Sequence, residues 1–319
     1  MAADYSICLG TAGWGLWHSP DAGRSWTRHR APFPLNTRIQ ALVAHPTRPN
    51  TLFAGGDTGL YTSQDSGARW ERLGAQGDLP TIWSLAIDPV DPDILFAGTR
   101  PAGVFRSTDG GRRWEKLAVD IARECAIGTP FVTALAVDPE DHRTVWAGVE
   151  IDGVHRSLDG GETWTHLTDG MHDLDVHDMV VAPRRLFVST ARDVFMSDDR
   201  GDTWRAMGIK DKWPLPYARG MALKPDDPRV LFVGCGETTT GERGHVLRTT
   251  DYGQRWEVLD LPDPANATMW GLATHPADPD RIVAFTLFGQ VYVSEDAGTS
   301  WRRIARDFGE IRTAVWVPN

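Results

Sequence analysis

The stretch Ser19-Pro20-Asp21-Ala22-Gly23-Arg24-Ser25-Trp26 decides the fold, because the same phrase returns six more times. Every copy reads Ser or Thr, any residue, Asp, any residue, Gly, two residues, Trp. Its aspartates are Asp21, Asp65, Asp109, Asp159, Asp199, Asp251 and Asp296, spaced by 44, 44, 50, 40, 52 and 45 residues. The phrase has the chemistry of a tight hairpin turn. Asp accepts hydrogen bonds from the backbone N–H groups ahead of it, and Gly supplies a positive φ. Trp then opens the returning strand and packs back over the turn.

Between the turns, each unit carries an alternating apolar run that ends at a proline, such as Arg38 to Pro46, Thr81 to Pro89, Phe131 to Pro139 and Thr268 to Pro276. A further apolar run such as Thr51-Leu52-Phe53-Ala54-Gly55-Gly56 follows. No segment holds a helical period. Four strands per unit of about 45 residues, seven times over, predict an all-β, seven-bladed β-propeller. The chain begins inside a unit, with three strands over 4–30, and ends on Glu310 to Pro318, which reads as the missing first strand. The last strand is therefore expected to complete the first blade and remove two open edges. The expected blades are 4–30 plus 311–317, then about 38–73, 80–117, 130–167, 174–207, 216–259 and 268–304, one domain over 1–319.

Composition narrows the function classes. With 319 residues, net charge −10 and no basic run, the chain lacks a phosphate-backbone footprint, so no nucleic-acid partner is expected. No apolar stretch approaches a membrane span, and the first residues carry neither a basic nor an apolar leader region. Three scattered cysteines (Cys8, Cys125, Cys235) suit a reducing compartment. The expectation is a cytoplasmic protein with no membrane partner.

The seven turn phrases resemble Asp boxes, also called bacterial neuraminidase repeats. The whole chain is similar to the Asp-box propeller superfamily of sialidases, other glycoside hydrolases, sortilin-type receptors and a photosystem II assembly factor. The resemblance implies that the seven aspartates are structural and lie on the face opposite the ligand site. Sialidases themselves have six blades and an Arg-Ile-Pro motif, where this chain has Arg38-Ile39-Gln40. It is therefore read as glycoside-hydrolase-like and not as a true sialidase.

Aligning the first strands on their terminal proline places one residue per blade at a shared register: Gln40, Trp83, Thr133, His177, Arg219, Trp270 and Arg312, the last interchangeable with Thr313. Arg38 and Tyr217 stand two positions earlier, and small residues mostly follow the ring. Aromatic rings with Arg, His and carboxylates at a central concavity suit a small polar or anionic ligand, a sugar among them. Arg38, Arg219 and Arg312 offer guanidinium forks to an anion. Asp175, His177 and Glu237 are the catalytic candidates for hydrolase chemistry, with Glu124, Glu150, Asp152 and Glu242 as further loop carboxylates. No cofactor is called for. A divalent metal is the remaining option, with His172, Asp175 and His177 as ligands. Longer loops near 118–130 and 236–244 fall on the same face, where binding residues concentrate. Two other readings stay open: a non-catalytic platform for a protein partner, and a metal-dependent enzyme.

Overall fold

The computed structural model describes residues 4–74, 79–123 and 128–319. Its strands form seven four-stranded antiparallel sheets. In six blades the four strands follow in chain order. In the first blade the strand Ile311–Pro318 pairs along Tyr5–Thr11, so the C-terminal strand closes the ring. The innermost strand of every blade touches those of both neighbours, all the way round. This is a seven-bladed β-propeller. Among the described residues its one helical element is a single 3₁₀ turn at Ile209–Asp211.

The turn phrase builds its hairpin through a fixed set of bonds. In all seven copies the Gly N–H donates to the Ser or Thr hydroxyl, at 2.7–2.9 Å. The N–H four residues after each Asp donates to its Oδ1, at 2.7–2.9 Å. The conserved Gly has φ between +81° and +102°, and the residue before it is also left-handed, whether it is Gly110 or Tyr252. These bonds hold all seven carboxyls below the ordinary range, against the opposing pull of partial burial at Asp21, Asp65, Asp199 and Asp296. At Asp251 the Arg255 N–H is the main cause, and the carboxyl falls to about 2.

Instead of one central core, the buried apolar residues form seven clusters, one at each junction between adjacent blades. Each turn tryptophan packs into the junction with the preceding blade: Trp70 against the first blade, Trp204 against the fourth, Trp301 against the sixth. Six of them also donate their indole N–H to the turn glycine carbonyl, as Trp26 does to Gly23 at 3.1 Å. Trp204 instead donates to Leu167 at 3.2 Å, across the junction. The tryptophan therefore does more than cover its own turn.

Loop placement follows from the same bonds. The turn loops touch the loops between first and second strands, as in Ser66 N–H to Asn50 and Gly110 N–H to Asp93. The loops between second and third strands meet the starts of first strands on the other face, as in Asp57 N–H to Arg38 and Leu287 N–H to Thr268.

Candidate functional site

Every first strand breaks register at its axial residue. The bulges fall at Gln40, Trp83, Thr133, His177, Arg219 with Gly220, Trp270 and Arg312. A bulge turns one side chain out of the ladder and re-aims it, here towards the propeller axis. All seven side chains line one cavity of about 180 Å³. Arg312 takes the bulged position in the closing strand, and Thr313 lines the wall beside it. The ring leaves little room for a second layer of bulk: a Cβ on Gly220 would sit 2.5 Å from the Gly271 Cα of the next blade. A wider vestibule of about 610 Å³ opens at the opposite end, lined mainly by the apolar ends of first strands such as Leu42, Val180, Leu223 and Ala273.

Charge is concentrated on one side of the cavity. The guanidinium of Arg219 lies 3.9 Å from the Trp270 ring centroid and that of Arg312 lies 5.1 Å from it. Arg312 pairs with Glu310. Burial lowers the Arg312 pKa; Glu310 opposes this, and the charges of Arg219 and Arg38 add to the lowering. Arg38 itself is exposed at the rim, outside the cavity wall, with its backbone N–H bonded to Asp57 at 2.9 Å. On the other side Trp83 packs on Phe131 at 4.0 Å between ring centroids, with Arg100 5.3 Å from the Phe131 ring.

His177 is a buried, neutral wall residue. Its Nδ1 meets the Ala218 carbonyl at 2.8 Å, and its Nε2 faces the Tyr217 hydroxyl at 3.3 Å and Asp175 at 3.5 Å. Burial and the Arg219 charge lower its pKa. Tyr217 is thus a support behind His177, itself held by Thr239 at 3.1 Å, and it does not line the cavity.

Two further sequence expectations are corrected. His172 does not join Asp175 and His177. Its ring packs on Phe195, with Nε2 3.9 Å from Asp193, because the chain turns between Met171 and Asp175. Glu237 is held ionised by Arg243, six residues on across its own loop, and does not line the cavity. Glu124 and Cys125 lie outside the described residues, while Cys8 and Cys235 are buried free thiols whose pKa values burial raises.

Two carboxyls stand out that spacing alone could not select. Asp178 occupies the position where the other blades carry Ala, Ser, Gly or Thr, and it lines the cavity. It accepts from the N–H of Met179 at 2.8 Å and of Met221, in the next blade, at 2.7 Å. Burial nonetheless pushes it up to about 6. Glu150, at the end of its blade's second strand, is pushed up to about 7 by burial and by the Asp175 charge, with Arg100 and Arg219 opposing. The Asp175 charge thus acts on Glu150 across the junction of two neighbouring blades.

Fold and site together define a seven-bladed propeller with a polar, arginine-bearing axial cavity. No protein-family model matches the chain. Among curated proteins, the uncharacterized protein YkuO of Bacillus subtilis is 32% identical over 81 residues, covering 25% of each chain. The xyloglucanase Xgh74A of Acetivibrio thermocellus is 29% identical over 121 residues, 34% of this chain and 12% of that enzyme. The chain therefore spans a quarter or less of the length of these relatives. Among solved structures, an ancestral GH74 enzyme superposes with TM-score 0.67 at 19% identity, over 87% of this chain and 38% of that one. YCF48 bound to D1 peptide superposes with TM-score 0.65 at 15% identity, over 96% of this chain and 89% of that one. These structural likenesses concern the fold.

Proposed function

We propose that the axial cavity binds the polar, anionic head of a saccharide, and that the rim carries glycoside-hydrolase-like chemistry. One observation carries this reading: seven bulged strands aim seven side chains at one small cavity, with Arg219 and Arg312 both against Trp270. At about 180 Å³ the cavity holds the space of ~6 waters, which suits one sugar-sized head and not an extended chain. The arginines match a carboxylate, and the indoles of Trp83 and Trp270 match the apolar face of a sugar ring. Glu150 and Asp175 supply at the rim the two carboxyls that glycoside hydrolysis uses. The partial likeness to xyloglucanases supports the saccharide class. The seven turns are read as Asp boxes with a structural role.

The test is a calorimetric binding and turnover screen of neutral and uronic-acid-terminated oligosaccharides. A uronic-acid end is expected to bind best, and Arg219→Ala to cost about tenfold or more, ~1.4 kcal/mol. If no saccharide binds, or Arg219→Ala and Trp270→Ala leave binding unchanged, the reading fails. One observation favours a second reading, a protein-interaction platform: the likeness to YCF48 runs over nearly the full length of both chains. Peptides with free and amidated C-termini, screened alongside, separate the two.

A further inference from the structure

Away from the axis, blade four gathers a second group of polar side chains. Its third strand, Gly153–Ser157, pairs with its fourth, Thr165–Leu167, in a register that sets His155 directly opposite His166. The two imidazoles stack, with ring centroids 4.6 Å apart and planes 18° from parallel. Asp152, in the turn before the third strand, reaches both: its Oδ2 is 3.0 Å from His155 Nε2, and its Oδ1 is 3.9 Å from His166 Nε2. One donor atom from each of the three residues lies within 4.8 Å of the others.

We propose that Asp152, His155 and His166 form a binding site for a divalent transition metal such as zinc. Two imidazoles and one carboxylate are a donor set that zinc, iron, nickel or copper accepts, and the fourth position stays open to water. His155 is buried at 2% exposure, whereas His166 is exposed, with its Nε2 at 2.6 Å from the Asp152 backbone carbonyl oxygen. A metal would replace the contact of His155 Nε2 with Asp152 Oδ2 and that of His166 Nε2 with the Asp152 carbonyl oxygen.

The turn that carries Asp152 is strained and heavily tied. Ile151 adopts φ +65°, an outlier for a β-branched residue. Gly153 N–H bonds to Leu174 and Glu150 N–H to Phe131, each at 3.0 Å, and Asp152 Oδ2 also accepts from Ala122 N–H at 3.0 Å. Metal at Asp152 would therefore fix, in one place, the blade-four turn and the loop leading into the blade, two residues from Glu150 at the rim.

The test uses the full chain, stripped with chelator and dialysed, titrated with Zn²⁺ and separately with Co²⁺. The expected result is one-to-one binding with Kd on the order of 10⁻⁶ M or tighter, a rise in melting temperature, and a visible Co²⁺ spectrum of low coordination number. His166→Ala, at an exposed position, should melt like the unaltered protein without metal yet lose about tenfold or more in affinity. Asp152→Asn should do the same to affinity. Binding no tighter than millimolar would overturn the proposal, as would metal binding that His166→Ala leaves intact. No saccharide is needed, so this outcome is independent of the axial site's function.

Discussion

At the residue scale, Asp178 shows how a cavity wall differs from an ordinary strand. Its two backbone N–H donors favour the carboxylate, yet burial outweighs them and raises it to about 6. A raised carboxyl binds its proton more tightly in the folded chain than in the unfolded one, where the value is 3.8. Its contribution to stability is therefore complete below pH 3.8 and lost as pH rises through about 6. The whole effect amounts to at most about 3 kcal/mol. Asp178→Asn mimics the protonated side chain, so it should be more stable than the unaltered protein at pH 8, with the advantage fading below pH 4. Urea unfolding of both proteins across that range checks this, and a difference independent of pH would refute it. The ring residues themselves were legible, because the terminal prolines fix their register. The bulges were not, since an extra residue in one strand shows only against its partner. Nor was the action of Asp175 on Glu150, since the two belong to different blades.

At the element scale, the turn phrase was legible in its bonds but not in its backbone. The sequence requires Gly at one position, and the structure uses left-handed conformation at two. In the third blade both are glycine, Gly110 at φ +73° and Gly111 at φ +87°. Their surroundings differ: a Cβ on Gly110 would meet nothing nearer than 3.5 Å, whereas one on Gly111 would lie 2.8 Å from Leu60 Cδ2 in the neighbouring blade. Other blades accept Ala22 or Ser66 at the first position, which shows the backbone cost alone to be bearable. Gly110→Ala should therefore lose about 1 kcal/mol, and Gly111→Ala about 2–4 kcal/mol once overpacking is added. Denaturant midpoints of the two variants measure the contrast, and equal losses would mean that the second glycine serves the turn alone and not the blade junction. The junction role of the turn tryptophans was hidden for the same reason: it depends on which blade lies behind, and a repeat read one unit at a time has no neighbours.

At the scale of the whole molecule, the closing strand joins stability to function. Ile311–Pro318 seals the ring through Val315, Trp316 and Val317, and it also brings Arg312 to the axis beside Arg219. The chain carries a net charge of −10, yet its axial mouth gathers Arg38, Arg219 and Arg312, which repel one another. A half-buried cation kept near two others destabilises the ligand-free fold, and an anion between them would reverse the sign. Such strain held at a site is a common reason why binding residues are not the most stable choice at their positions. Arg312→Met, which keeps the apolar stem against Trp270, should thus melt at or above the temperature of the unaltered protein in low-salt buffer. A small dianion such as sulfate or malonate should raise the melting temperature of the unaltered protein, since a ligand that binds only the folded state stabilises it. The same anion should raise that of Arg312→Met much less, while sodium chloride at equal ionic strength separates specific binding from screening. Were Arg312→Met less stable in low salt and equally responsive to the dianion, the arginine would belong to the architecture of the closing strand, and the axial cavity would lose its claim to an anionic ligand.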